Sequence, residues 1–234
     1  MKKFIISRSL LFISYSLFLT FYFFIGCAPK AITPVPPQYG ETFSLDEIVS
    51  KAGDDIQVLK AIADVRIEKN NELYDQINAS VIVKRPASAH MRMYKFGMLV
   101  SDIIMKDGSL HVLTGKSDKK TGALINEFFH AVFWWDGLER GALYRDEDTY
   151  IIKTINKEIH LDRATLLPLH QEAYLLNKII HITYTEPHDY DGFWYPSKME
   201  ITVDDLRFKV RIDKLIKNPP LGEFDFKTPG SETP

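Results

Sequence analysis

The chain has 234 residues, of which 45% are hydrophobic and 26% charged, with a formal net charge of −2. Basic and acidic side chains number 29 and 31, so the excess of positive charge that marks a nucleic-acid-binding surface is missing. One cysteine allows no intrachain disulfide, and the length suffices for one domain with a substantial core.

Lys2, Lys3 and Arg8 precede an uncharged apolar run, Leu10 to Ile25, which ends at Gly26-Cys27 and gives way to Pro29, Pro34, Pro36 and Pro37. A basic start, an apolar stretch and a small residue before a break follow the order of a secretory signal. The run of about sixteen residues is shorter than the ~20 that a spanning helix needs. An uncleaved single anchor is the alternative. The stretch Phe24-Ile25-Gly26-Cys27 resembles the lipobox of bacterial lipoproteins, with Phe24 where that motif usually carries leucine. The resemblance implies cleavage before Cys27, diacylglycerol on its thiol and an N-acyl group, with no other cofactor. Residues 1–26 are then the signal peptide, 27–43 the lipidated cysteine and a Pro-rich linker, 44–226 the folded domain, and 227–234 a loose tail. Loss of the three basic residues leaves 26 basic against 31 acidic side chains, a net charge of −5. Ala28 stands where an aspartate would resemble an inner-membrane retention signal, which points to the outer membrane.

Ser44 and Glu47 form a capping box, which satisfies two orphan amides reciprocally. Leu45, Ile48, Val49 and Ala52 then give the apolar face of a short helix, with Gly53 placed to end it in a left-handed cap. The period next changes to two. Ala61, Ala63, Val65 and Ile67 alternate with polar residues, as do Ile77, Ala79, Val81 and Val83, and Met91 and Met93 flank Arg92. Asp107-Gly108 joins two further strands as a hairpin. Ile125, Phe128, Phe129, Val132 and Phe133 return to helical spacing, ending near Trp134. Strands resume from Tyr150. The last hairpin sets Tyr195, Met199, Ile201 and Val203 against Phe208, Val210 and Ile212. Nine to eleven strands and two or three helices result. One-sided alternation predicts a single curved antiparallel sheet wrapped around something, mainly β with a few helices, the aromatic helix suiting a plug or lid for the concave side.

Traces of catalysis are few. The Gly-x-Ser-x-Gly elbow and the His-Glu-x-x-His motif are absent from the sequence. His160 and His170 fall in different predicted strands, a weak basis for a metal site. The apolar features say more. Phe96, Met98 and Leu99 surround Gly97 at a turn, where polar residues are usual. Either this tip folds back onto the core or it protrudes as a greasy finger. The aromatic helix stripe likewise reads as ordinary core or as the lining of a cavity.

Tyr195-Pro196-Ser197-Lys198-Met199-Glu200-Ile201-Thr202, a short polar turn and the strand after it resemble the LolB family of outer-membrane lipoprotein receptors and, more distantly, the carrier LolA. The order of strand, Gly-containing apolar tip, strand, Asp-Gly hairpin, strand and helix over residues 89 to 133 is similar too. The resemblance implies an open β-barrel with helices closing a hydrophobic cavity. The protein would be a non-enzymatic monomer, lipid-anchored at the periplasmic face of the outer membrane. It would receive acylated lipoproteins from a LolA-like periplasmic carrier and release them into that membrane. Phe96 matches the family's protruding leucine, so Phe96, Met98 and Leu99 would be the membrane-insertion tip. Phe128, Phe129, Val132, Phe133 and Trp134 would line the lid side of an acyl-chain cavity, and Val65, Val81, Met93, Met199, Ile201, Val210 and Ile212 its wall. Two alternatives are an envelope scaffold or sensor with the same fold and a tethered periplasmic hydrolase.

Overall fold

The computed structural model describes residues 34–115, 125, 128–175 and 178–228. The signal segment, Cys27 and residues 229–234 of the expected tail lie outside the described residues. Among the described residues no helix is long and apolar enough to cross a membrane.

Helix α1 spans Leu45–Gly53, and its capping box forms as expected: the Ser44 amide donates to the Glu47 carboxylate (2.8 Å), and the Glu47 amide donates to Ser44 Oγ (3.4 Å). Gly53 does not make the expected left-handed cap. Its φ of 140° lies outside that region, and Asp54 caps the helix in right-handed geometry. The positive φ still favours glycine, and packing requires it too, since a Cβ there would stand 2.9 Å from Ile56 Cδ1 and 3.0 Å from Trp135 Cζ2.

The strands are β1 Val58–Lys69, β2 Glu72–Lys84, β3 Ser88–Lys95, β4 Met98–Lys106, β5 Ser109–Thr114, β6 Ala142–Arg145, β7 Thr149–Lys153, β8 Lys157–Asp162, β9 Pro168–Leu175, β10 Lys178–Tyr190, β11 Phe193–Val203 and β12 Leu206–Lys217. They form one antiparallel sheet in the order β5-β4-β3-β2-β1-β12-β11-β10-β9-β8-β7-β6. Twelve strands exceed the nine to eleven expected. The four-residue β6 carries no alternation that would reveal it. The sheet is curved and does not close, with β5 and β6 as its free edges. These edges are consecutive in the chain, so the segment joining them carries the second helix, α2, of which residues 125 and 128–132 are described.

Two-residue turns set much of the register. Asn70-Asn71, Asp107-Gly108 and Asp191-Gly192 adopt positive φ at both positions, the type I′ geometry that matches strand twist. Inward residues alternate along every long strand. In β1–β3 they are mostly small: Ala61, Ala63, Ala79 and Ala89 are all buried. In β7–β11 they are large: Tyr150, Ile152, Ile159, Ile182, Tyr184 and Tyr195 are buried at 3% exposure or less. The folded body also begins before Ser44. The Tyr39 amide donates to Ala164 O (2.6 Å), the Phe43 amide donates to the Tyr150 hydroxyl (3.0 Å), and Phe43 is buried. The end of the proline-rich stretch is therefore docked rather than a linker. On the outward face of β3, His90 is buried between the Asp102 carboxylate (2.7 Å) and the Asp225 carbonyl.

Candidate functional site

The end of α2 and the segment that follows it form an aromatic wedge against the large-residue half of the sheet. Phe129, Phe133, Trp134, Trp135 and Leu138 are buried at 2% exposure or less. Phe129 and Phe133 ring centres lie 5.1 Å apart, Phe133 meets Trp135 edge-on at 5.6 Å, and Trp134 meets Trp135 at 5.3 Å. Edge-to-face packing of this kind adds about 0.5–1.5 kcal/mol per pair beyond area burial.

The wedge is also fastened by hydrogen bonds. A helix ends with unsatisfied carbonyls, and in a core these need donors. The Tyr184 hydroxyl donates to Ala131 O (3.0 Å) and the Tyr195 hydroxyl to Val132 O (2.9 Å). Lys157, facing inward from β8, donates through Nζ to Trp134 O (3.0 Å) and Asp136 O (2.6 Å). Arg85 reaches Asp136 Oδ1 through Nε (3.0 Å) and Nη2 (2.6 Å). Burial drives both phenols upward from the usual tyrosine range and pulls the Lys157 ammonium down to about 8, against opposing pulls from Asp136 and Glu139. Sequence reading missed this set. The inward register of Lys157 with Ile159 and Leu161 was its one visible signal.

The residues expected to line an acyl-chain cavity divide into two groups. Val81, Phe129, Val132, Phe133, Trp134, Met199, Ile201, Val210 and Ile212 are buried in the common core. Val65, Met93 and Phe128 are only partly buried against it, together with Met91, Val203 and Phe208. Register places several of the latter side by side. Val65 faces Ile77 and Val210, Met93 faces Ala79, and Phe208 faces Ile67 and Ile201. They make a half-open apolar strip on the inward face of β1–β3 and β11–β12. A separate cavity of about 210 Å³ lies among Tyr39, Lys51, Gly53, Trp134, Phe193 and Tyr195. Trp134 alone among the expected lining residues borders it. Its volume is below the roughly 300–1,000 Å³ of ordinary ligand pockets.

The β3–β4 turn settles the alternative left by the sequence: the tip protrudes. Phe96 is 89% exposed and Met98 65%, with Leu99 and Val100 also exposed. Phe96 and Gly97 take φ of 51° and 75°, another type I′ turn. Positive φ is unfavourable for a bulky side chain. Where the other such turns place Asn or Asp first, this one places phenylalanine. His160 and His170, across β8–β9, stack at 3.8 Å.

With the geometry in hand, the solved structures supply a comparison. A LolA superfamily protein from Nitrosomonas europaea superposes with a TM-score of 0.57 at 13% identity, over 80% of this chain and 99% of the other. The two chains share a fold. A domain from Vibrio parahaemolyticus, provisionally assigned to outer membrane lipoprotein sorting, superposes with a TM-score of 0.50 at 13% identity, over 78% of this chain and 94% of the other. No protein-family model matches the sequence, and no curated protein matches it either.

Proposed function

We propose that this protein is a lipid-anchored receptor of the outer membrane. It binds acyl chains, accepts lipoproteins from a LolA-like periplasmic carrier and inserts them into the membrane, with Cys27 as the acylated residue. It does no covalent chemistry and uses no cofactor. The fold shared with the LolA superfamily protein supports this reading, and one observation carries it: Phe96. A largely exposed phenylalanine at a position where the backbone disfavours it opposes both solubility and local conformation. Such an outlier argues for a role outside the domain's own stability. Burying a large apolar side chain yields about 1.5–3 kcal/mol. Phe96 with Met98 and Leu99 therefore supplies enough for reversible contact with a bilayer.

A C16 chain exposed to water costs on the order of 12 kcal/mol at about 0.8 per methylene, so transfer has to stay sheltered. The half-open strip of Val65, Met93 and Phe208 supplies the first part of that shelter.

The test is transfer of a radiolabelled lipoprotein from a LolA-like carrier to vesicles bearing the full chain. Phe96→Glu should abolish delivery while leaving the cargo bound, and Val65→Asp should weaken cargo binding itself. Undiminished delivery by both variants overturns the reading.

A further inference from the structure

The exposed apolar surface at the tip extends beyond the β3–β4 hairpin. On neighbouring β2, Leu73 is 56% and Tyr74 71% exposed. The register shift between Ile67 and Glu68 leaves Tyr74 without a partner on β1, as in a β-bulge. Asp75 follows Tyr74, Lys95 precedes Phe96, and their carboxylate and ammonium meet at 2.7 Å. The two hairpin ends are thus bonded at their roots. Lys69, at the head of the β1–β2 turn, is paired in turn with Asp205 (3.8 Å). Leu73, Tyr74, Phe96, Met98, Leu99 and Val100 are exposed apolar residues at this end of the sheet, and the two lysines beside them, Lys69 and Lys95, are both paired.

The other relevant quantity is a length. The folded body takes hold of the chain at Tyr39, bonded to Ala164 in the β8–β9 connection. By strand direction that connection lies at the end of the sheet opposite the Phe96 turn. A twelve-residue strand such as β1 is about 40 Å long at 3.2–3.4 Å per residue. The chain from Cys27 to Tyr39 covers twelve residue steps and reaches at most about 40–43 Å. The spacer is therefore about as long as the sheet is tall.

We infer that the β1–β2 and β3–β4 hairpin ends act together as a two-pronged foot that enters a lipid bilayer, and that the spacer is just long enough for the foot to enter the same membrane that holds Cys27. This rests on the receptor reading for the lipid on Cys27 and extends it to a second hairpin and to a geometric requirement. Internal pairing of the nearby lysines leaves the patch little positive charge with which to seek an acidic protein, and its large aliphatic and aromatic side chains suit acyl tails. Glu72, beside Leu73, has no ion-pair partner among the described residues, and its charge limits insertion to the depth of the headgroups.

The experiment uses the full lipidated chain in vesicles of phosphatidylethanolamine and phosphatidylglycerol with radiolabelled acyl chains. A benzophenone amino acid replaces Phe96, Tyr74 or, as a control at the opposite end, Asp107. Light should attach lipid at positions 96 and 74 and not at 107. Deleting residues 28–33 should reduce both adducts at least tenfold, and six Gly/Ser residues in their place should restore them. An adduct at 96 without one at 74, adducts insensitive to the deletion, or crosslinks to a second copy of the chain in place of lipid would each overturn the inference. Failed lipoprotein delivery with intact adducts would refute the receptor reading and leave the foot standing. The converse result would refute the foot alone.

Discussion

The two halves of the inward sheet face solve opposite problems. On β7–β11 large side chains meet an aromatic wedge, rings against rings, with hydroxyl and ammonium donors on the wedge's carbonyls, and Arg85 from the β2–β3 connection adds a guanidinium donor to Asp136. On β1–β3 the floor is alanine and valine, the rim residues Val65 and Met93 remain half-open, and the strands end in exposed apolar tips. Close packing makes the first half rigid, because any lost volume leaves a cavity that cannot relax. The second half forgoes that stability and keeps apolar surface available to something else.

The contrast is broken most severely by cutting into the wedge. Phe129→Ala should destabilise the domain by about 3–5 kcal/mol in urea unfolding, whereas Phe96→Ala should change it by no more than about 0.5 kcal/mol. Equal losses would mean that the halves are not distinct.

Lys157 gives the next largest effect, and its sign is fixed by linkage. Its folded pKa, about 8, lies below the ordinary lysine value of 10.5. Between these values the unfolded chain binds more protons, so stability should rise with pH from about 8 to 10.5, by about 3 kcal/mol at 1.36 per unit. Above pH 10 the raised pKa values of Tyr184 and Tyr195 act in reverse, because the unfolded phenols ionise first. Lys157→Met should remove the rise and keep the fall, as measured by unfolding at a series of pH values.

Tyr195→Phe tests the fastening alone. It leaves the Val132 carbonyl buried without its donor and should cost about 1–3 kcal/mol. The smallest effect has the opposite sign. Phe96→Asn creates the Asn-Gly turn that type I′ geometry favours. It should stabilise the domain by about 0.5–1 kcal/mol, the scale of relieving one unfavourable backbone conformation, while lowering vesicle association. A variant that gained stability and kept full association would remove the argument from strain.

The strands, the capping box, the Asp-Gly hairpin and the single open sheet were legible in the sequence, since period-two alternation and turn chemistry are local properties of the chain. The tip was visible as an anomaly, three large apolar residues around a glycine, but alternation alone left its direction open. The cavity-lining residues were harder to place. Phe129 and Met93 follow the same apolar periodicities, and only packing separates the sealed residue from the half-open one. Gly53 shows the same limit, reading as a helix cap by its position when it is in fact the space beneath Trp135.

The sequence by itself determined the hairpins and the placement of greasy residues at a turn, because both follow from neighbours within a few positions. The tertiary structure decided which apolar residues are shared core and which are left unfinished. It also recruited Tyr195, Lys157 and Arg85 to hold the wedge, because those contacts join strands and turns far apart in the chain.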